Sequence, residues 1–456
     1  MNDINQQLRQ IPQVEQLLAG EQVGPFIDDL GHPVVRHVIR KTLEQYRSRI
    51  LEGEAFDQNT LIDEIIHQCR ARKLEKLQRV INGTGVIMHT NLGRAPLGKD
   101  IIQKLSVALS GYCNLEFHLP TASRGKRGGF AEELICHLTG AEDALIVNNN
   151  ASSVFLVLNQ FGSGREVMVS RGELIQIGGG FRIPDIMEQT GARIVEVGTT
   201  NITTLDDFKR RITDQTAMIL SAHQSNFAMQ GFTAMPALSE LATLAKENIL
   251  LYRDLGSGNL VEDDRLPRPF EVTVTQELKE GPHLVSFSGD KLLGGCQAGI
   301  IVGEGKAIAA LRKNPLMRML RVDKVTYFLL QETLLQYANN RPADIYVWNI
   351  ILQDVKTIQG RVNRFLRPLS GHPVREFLKK IPLESTYGGG SMPARTIPSS
   401  GIAIKPPSSS ADSLYNRLLR GNPPIAGYID NDHVIIDFRT IFDSDLPGLR
   451  EALKDI

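Results

Sequence analysis

What this sequence has little of excludes more than what it has in excess. Its 456 residues hold one tryptophan and four cysteines, Cys69, Cys113, Cys136 and Cys296, none of them in a Cys-x-x-Cys pair. That spacing excludes a disulfide framework and a thiol-rich zinc site, and it fits a reducing compartment. Neither sign of charge is in surplus, because lysine plus arginine equals aspartate plus glutamate at 51 each. No global attraction to nucleic acid or membrane is therefore expected, and any polyanion site must be a local patch. Long apolar runs are also missing: nothing approaches the ~20 residues that a membrane span needs, and the opening MNDINQQLRQ is polar. A cytoplasmic protein is expected. The histidines show no metal-ligand spacing, so no metal is expected.

The length suggests one large catalytic body with smaller parts appended. From Gln13 to about Lys76 apolar residues recur at three and four steps, in PVVRHVIRKTLEQYRSRIL and LIDEIIHQCRARKLEKL, so a helical domain is expected over residues 1–76. It carries Arg36, Arg40, Lys41, Arg47 and Arg49, then Arg70, Arg72, Lys73 and Lys76, with Arg79 just beyond, either as a solvated face or as a polyanion contact. Over residues 77–312 short apolar runs (ALIV, EVMVS, ARIVEVG, AMILSA, ILLYRDLG, LVSFS, AGIIVG) alternate with helical stretches. Their near-continuous apolarity predicts strands covered on both faces, hence a largely parallel sheet in an α/β layer. Residues 313–456 read as a smaller α+β domain, helical at DKVTYFLLQETLLQYANN and strand-like at HVIIDF. STYGGGSMPARTIPSSGIAIKPPSSS within it reads as loops and turns, with a short strand possible at GIAIK.

Ligands of α/β sheets gather outside the carboxyl ends of the strands, so the residues just after each apolar run matter most. After ALIV come Asn148, Asn149, Asn150, Ala151 and Ser152. After AMILSA come His223 and Asn226, after LLYR comes Asp254, and LVSF leads to Ser288, Asp290 and Lys291. Together they fit pyridoxal phosphate (PLP). Lys291 suits the Schiff-base lysine, which must be desolvated so that its amine is often neutral. Asp254 suits the anion that keeps the pyridine nitrogen protonated. The turn at Asn150, Ala151 and Ser152 suits the phosphate, with Ser288 a further hydroxyl. Asn226 could donate to the ring's phenolic oxygen, and His223 could contact the ring or be a hydrogen-bonded core histidine. Gly294 and Gly295 would let the backbone come close to a bulky cofactor.

INGTGVIMHTNLGRAPL, LTGAEDALIVNNNASSV, VSRGELIQIGGGFRIPDIM, EVGTTNITTLDDF, DLGSGNLV, SFSGDKLLGG and NPLMRMLRVDK closely resemble the bacterial L-seryl-tRNA(Sec) selenium transferases, the selenocysteine synthases. The resemblance runs from GHPVVRHVIRKTLEQ to GYIDNDHVIIDFRTI, nearly the whole chain. It implies an aspartate-aminotransferase-like PLP-dependent transferase fold (fold type I), with a small N-terminal helical domain that holds tRNA and a C-terminal α+β domain. It also implies a homodecamer built from dimers. The implied reaction converts seryl-tRNA(Sec) to selenocysteinyl-tRNA(Sec) with selenophosphate, through a dehydroalanyl-tRNA intermediate. Lys291 matches the family's Schiff-base lysine, Asp290 its active-site acid, and Arg94, Arg318 and Arg321 its selenophosphate-binding arginines. From spacing alone, Arg318 and Arg321 read as neighbours on a solvated helix face.

The chain departs from the family pattern at Cys296, where proline is expected, at Ser221, where lysine is expected, and near Gly129, where a further arginine often joins Arg124, Lys126 and Arg127. Cys296 reads as a filler. The other two bear on substrate rather than cofactor. A related PLP-dependent lyase, or a sulfur-using transferase, acting on a small amino acid is the alternative reading; the helical domain argues against it, since a small substrate gives that domain nothing to hold.

Overall fold

The computed structural model describes residues 2–454 apart from 175, 178–179, 224–226, 228, 246–247 and 407–408. The chain divides into two units, one of residues 1–81, 406–434 and 445–456, the other of residues 82–405 and 435–444.

In the first unit, α1 (His32–Leu51) and α2 (Gln58–Glu75) are the long helices. Pro33 opens α1 where its missing N–H costs nothing, and the Asp57 carboxylate caps α2 by accepting from the Asn59 and Thr60 amides. Val35, Ile39, Leu43, Tyr46 and Ile50 recur at helical spacing on α1, and they share one buried cluster with Leu61, Ile65 and Cys69 of α2.

The second unit holds the strands β1 (Val86–Met88), β2 (Asp143–Val147), β3 (Glu166–Ser170), β4 (Arg193–Val197), β5 (Thr216–Ala222), β6 (Leu250–Gly256), β7 (Leu284–Ser288), β8 (Gly299–Gly303), β9 (Leu378–Gly388) and β10 (Thr396–Ile404). Its main helices are α3 (Gly129–Thr139), α4 (Asn150–Gly162), α5 (Gly305–Lys313) and α6 (Lys324–Ala338). The runs expected to be strands form a seven-stranded sheet in the order β2-β8-β7-β6-β5-β3-β4. The pairings β7-β6, β6-β5, β5-β3 and β3-β4 are parallel, and only β8 runs antiparallel to its neighbours β7 and β2. Alternation decides which face each side chain serves. Leu145 and Val147 of β2 pack with Val154, Val157 and Leu158 of α4 and with Ile308 and Leu311 of α5. Ala144 and Ile146 pack on the other side with Leu134 and Ile135 of α3 and Leu330 and Leu334 of α6. Helices thus cover both faces, which is why these strands read as continuously apolar.

The serine-rich stretch expected to be loops is a correction. Half of it is sheet, residues 385–388 and 396–404, well beyond the short strand at GIAIK: β9 pairs antiparallel with β10 from Leu378↔Ile404 to Thr386↔Thr396, and β9 pairs parallel with β1. What makes polar strands stable here is Asp437, whose carboxylate accepts from the Ser385 hydroxyl at 2.7 Å and from the Ser399 hydroxyl. Both serines are buried with their bonds made.

Candidate active site

Strand register aligns Ala222 of β5 with Asp254 of β6, and Asp254 with Ser286 of β7, so the ends of adjacent strands present their following residues together. Asp254 is 7% exposed and Lys291, on the turn after β7, is 8% exposed. Among the described residues the Lys291 amine makes no hydrogen bond. Burial pushes the Lys291 ammonium below its usual range, against the opposing pull of the Asp254 charge. Burial also pushes the Asp254 carboxyl up, against a hydrogen bond from Asn150 and the charges of Lys291, Arg253 and His223. Each group thus sits within the other's field, and burial shifts each toward its neutral form.

The lysine turn is held by its surroundings. Gly294 has φ +74°, and a Cβ there would lie 2.3 Å from the Ile345 side chain. The Gly295 amide donates to the Gly289 carbonyl at 2.8 Å. These glycines close and pack the turn. Ser288 is buried at the end of β7. The Leu92–Ala95 loop seats on the same turn: the Ala95 amide donates to the Asp290 carbonyl at 3.2 Å, and the Arg94 guanidinium donates to Asp290 Oδ2 at 2.9 Å. Arg94 has φ +59°, an uncommon conformation for a side-chain-bearing residue that ion-pairing to Asp290 helps hold. Asp290 Oδ1 is buried without a partner.

Helix α4 starts directly behind Asp254. The Asn149 side chain caps it by accepting from the Ser152 amide at 2.8 Å, leaving the Asn150 and Ala151 amides free of intrahelical partners. Asn150 Nδ2 donates to Asp254 Oδ1 at 2.7 Å, while Asn150 Oδ1 is buried with no partner. An unbonded buried amine, a buried carboxyl group whose charge acts on it, an unsatisfied amide oxygen and two free amides at a helix start supply the donor set that PLP needs. The residues fit the cofactor.

His223 is half-buried, its amide donating to the Asp254 carbonyl at 2.8 Å and its Nε2 lying 2.7 Å from Glu271 Oε1. Asn226 lies outside the described residues. Arg321 and Arg318 are not side by side on one helix face, a correction. Arg318 is exposed within the short helix Met317–Leu320, whereas Arg321 follows it in extended backbone, half-buried and 3.9 Å from Glu116. That segment adjoins the start of α4, since the Asn148 amide donates to the Leu320 carbonyl at 3.0 Å. Arg127 also pairs with Glu116, and Lys126 pairs with Glu132 at 2.7 Å. The Cys296 thiol lies 3.6 Å from the Thr326 carbonyl, and burial pushes it up to about 12, so it is a thiol filling space rather than a thiolate.

Sequence reading missed the acids that brace the site. Ser221 donates to Glu173 Oε1 at 3.0 Å and accepts from Arg253 at 2.8 Å, and Arg253 is forked onto Glu277 at 3.1 and 3.2 Å. Burial pushes the fully enclosed Glu173 up to about 7, against the charge of Arg253 and the Ser221 hydrogen bond. Because the folded value lies above the ordinary 4.5, the folded protein binds the extra proton. The stability this supplies is complete below the ordinary value and is lost as pH rises through about 7, with a ceiling of about 3 kcal/mol. The cofactor-free protein should therefore show a thermal midpoint that falls between pH 5 and pH 8. Glu173→Gln should flatten that fall, and parallel curves for the two proteins would contradict the assignment.

Fold and site together define a fold-type I, aminotransferase-like PLP enzyme. A profile of the family described as L-seryl-tRNA selenium transferase matches residues 80–442, and one described as selenocysteine synthase N terminal matches residues 8–47. The chain belongs to the L-seryl-tRNA selenium transferase family. Curated proteins named L-seryl-tRNA(Sec) selenium transferase align end to end. That of Aquifex aeolicus is 40% identical over 455 residues, covering 98% of each chain. That of Geotalea uraniireducens is 41% identical over 458 residues, covering 98% of this chain and 99% of its own. A solved D-glucosaminate-6-phosphate ammonia-lyase superposes with a TM-score of 0.57 at 20% identity, covering 83% of this chain and 95% of its own, a likeness of fold.

Proposed function

We propose that the residues around Lys291 carry out the family's reaction, the PLP-dependent conversion of seryl-tRNA(Sec) to selenocysteinyl-tRNA(Sec) with selenophosphate. The observation that carries the assignment of roles is the buried Lys291 amine within the field of the buried Asp254 carboxylate. When bound, PLP supplies an electron-accepting ring that stabilises charge on the α-carbon of the esterified serine as its proton leaves. Lys291 anchors the cofactor and, once free, is the amine placed to carry that proton. Asp254, oriented by Asn150, keeps a proton on the ring nitrogen. The amides of Asn150 and Ala151 and the first turn of α4, with Ser152 and Ser288 as further hydroxyls, would take the phosphate; His223 would contact the ring, and Asn226 would donate to its phenolic oxygen.

Arg94 is fixed by Asp290 through one nitrogen, leaving the rest of its guanidinium for an oxyanion. With Arg318 and Arg321 it would receive the selenium donor. In the helical region, Arg36, Arg49 and Lys73 are committed to Glu15, Glu64 and Asp29. Arg40, Lys41 and Arg47 of α1 are exposed and carry no ion pair among the described residues, and these suit tRNA phosphates. Residues 1–76 would then be the tRNA-binding part, 77–312 the PLP-binding part and 313–456 the small domain. Exposed Val107, Tyr112, Leu119, Phe130 and Phe232 are apolar surface that assembly would cover, in keeping with a homodecamer built from dimers. No helix among the described residues is long and apolar enough to cross a membrane, in keeping with a cytoplasmic enzyme.

The test is to incubate the protein with seryl-tRNA(Sec), PLP and selenophosphate, beside a thiophosphate control; no selenocysteinyl-tRNA from cofactor-loaded protein would refute the assignment. Arg318→Ala should retain the cofactor yet use the donor on the order of 10–100-fold less well, through removal of a charge-assisted contact. Unchanged selenium transfer by that variant would refute the role of Arg318.

A further inference from the structure

The buried carboxylate of Glu271, 8% exposed, belongs to none of the roles above, yet three separate segments meet on it. Its Oε1 lies 2.7 Å from His223 Nε2, at the end of β5. Its Oε2 accepts from the Met392 amide at 3.2 Å, in the turn between β9 and β10. Its own backbone is pinned by the fully buried Asn259 of the DLGSGNLV motif, whose Nδ2 donates to the Glu271 carbonyl at 2.6 Å. The preceding residue strengthens the link, for the Phe270 ring meets that of Tyr387, at the end of β9, at 5.7 Å and 67°. In the turn itself Met392 and Ala394 have φ of 51° and 59°, so side-chain-bearing residues are held in the left-handed region. Burial works to raise the Glu271 carboxyl, but the hydrogen bond and charge of His223 and the bond from Met392 leave it lowered. An ionised carboxylate only accepts, so the proton between the pair sits on His223 Nε2. A cavity of about 900 Å³ is lined by His223, Glu271, Met392 and Arg395, and not by Lys291 or Asp254, so ring and turn face one space on the His223 side of the site.

We propose that Glu271 is a positioning residue for the cofactor site, fixing the tautomer and orientation of His223 with one oxygen and fastening the Gly388–Arg395 turn over the cavity beside His223 with the other. This rests on the reading of Lys291 and Asp254 as a PLP site. Glu271 would act on the histidine ring through one oxygen and on the turn through the other.

Glutamine tests this sharply, because it keeps the shape but offers one acceptor atom where two are in use. Glu271→Gln must either move the proton off His223 Nε2 or release the Met392 amide. The full-length protein loaded with PLP would be examined by equilibrium dialysis, by the circular dichroism induced in the cofactor band, and by the rate of tryptic cleavage after the exposed Arg395. Glu271→Gln is expected to change either the induced dichroism or the cleavage rate, and Glu271→Ala both, with PLP retention in the alanine variant weakened about tenfold. His223→Ala should weaken PLP without speeding cleavage. Wild-type dichroism, retention and cleavage in Glu271→Gln would overturn the proposal, as would an alanine variant that loosens the turn while leaving the cofactor signal untouched. Wild-type protein that fails to retain PLP would instead overturn the underlying reading of the site, before any variant is compared.

Discussion

Lys291→Ala should leave no cofactor covalently attached and should lower selenocysteinyl-tRNA formation by at least on the order of 10³-fold, the joint loss of the covalent anchor and of the proton carrier. Among the described residues Lys291 is the only buried lysine. Other lysines in the same unit are committed elsewhere: Lys104 pairs with Glu332 at 2.8 Å and Lys126 with Glu132 at 2.7 Å, both half-exposed. A desolvated amine is neutral often enough to be a nucleophile, and burial is the dominant influence lowering Lys291. The nearby carboxylates of Asp254, Asp290 and Glu271 oppose it, while Arg94 reinforces it. The variant should still bind PLP reversibly, since Asp254 and the start of α4 are untouched. Borohydride reduction followed by mass measurement of the denatured protein separates the cases: a cofactor adduct on wild type and none on the variant is expected. An adduct of equal yield on the variant would place the anchor elsewhere.

The seven strands of the large sheet were legible because each is buried on both faces, which forces an apolar run whatever the rest of the fold does. The direction of β8 was not, because AGIIVG reads alike in either orientation and only its pairing with Leu284–Ser288 and Asp143–Val147 reveals it. The β9-β10 pair was misread for a different reason. Serine and proline signal turns locally, but Ser385 and Ser399 are satisfied by Asp437, whose side chain lies 52 and 38 residues away in sequence.

At the site, residues adjacent to strand ends could be anticipated, since topology brings strand ends together. Lys291, Asp254, Asn150 and His223 are of that kind. Glu271, Glu173, Arg253 and Glu116 are not, for they act from loops, from the opposite side of a strand or across the chain. Their signal is a partner 48 residues distant, as for Ser221 with Glu173 and His223 with Glu271, which no local spacing encodes. One hint was present: DLGSGNLV was singled out whole, and its Asn259 turns out to pin the loop that carries Glu271.

Asp254→Asn should weaken PLP retention roughly tenfold and slow turnover on the order of 10²–10³-fold, the scale of losing one preorganised charge at the reacting centre. Asp254 is fully enclosed, and burial raises its carboxyl despite the Asn150 hydrogen bond and the charges of Lys291, Arg253 and His223. A protonated ring nitrogen would add a cation in direct contact, and the ionised carboxylate would in turn hold the proton in place. An amide is close in shape but uncharged, so it cannot stabilise that proton; it would also set its own N–H groups against Asn150 Nδ2, which now donates at 2.7 Å. Asn150→Ala is the control, because it removes that hydrogen bond while keeping the charge; a loss of about fivefold to tenfold is expected there. The two variants thus divide orientation from charge. If Asp254→Asn and Asn150→Ala were equally mild, the carboxylate would be a structural acceptor for Asn150 and the ring nitrogen would need another partner. If only the aspartate variant loses turnover while both keep the fold by circular dichroism, its charge serves the chemistry.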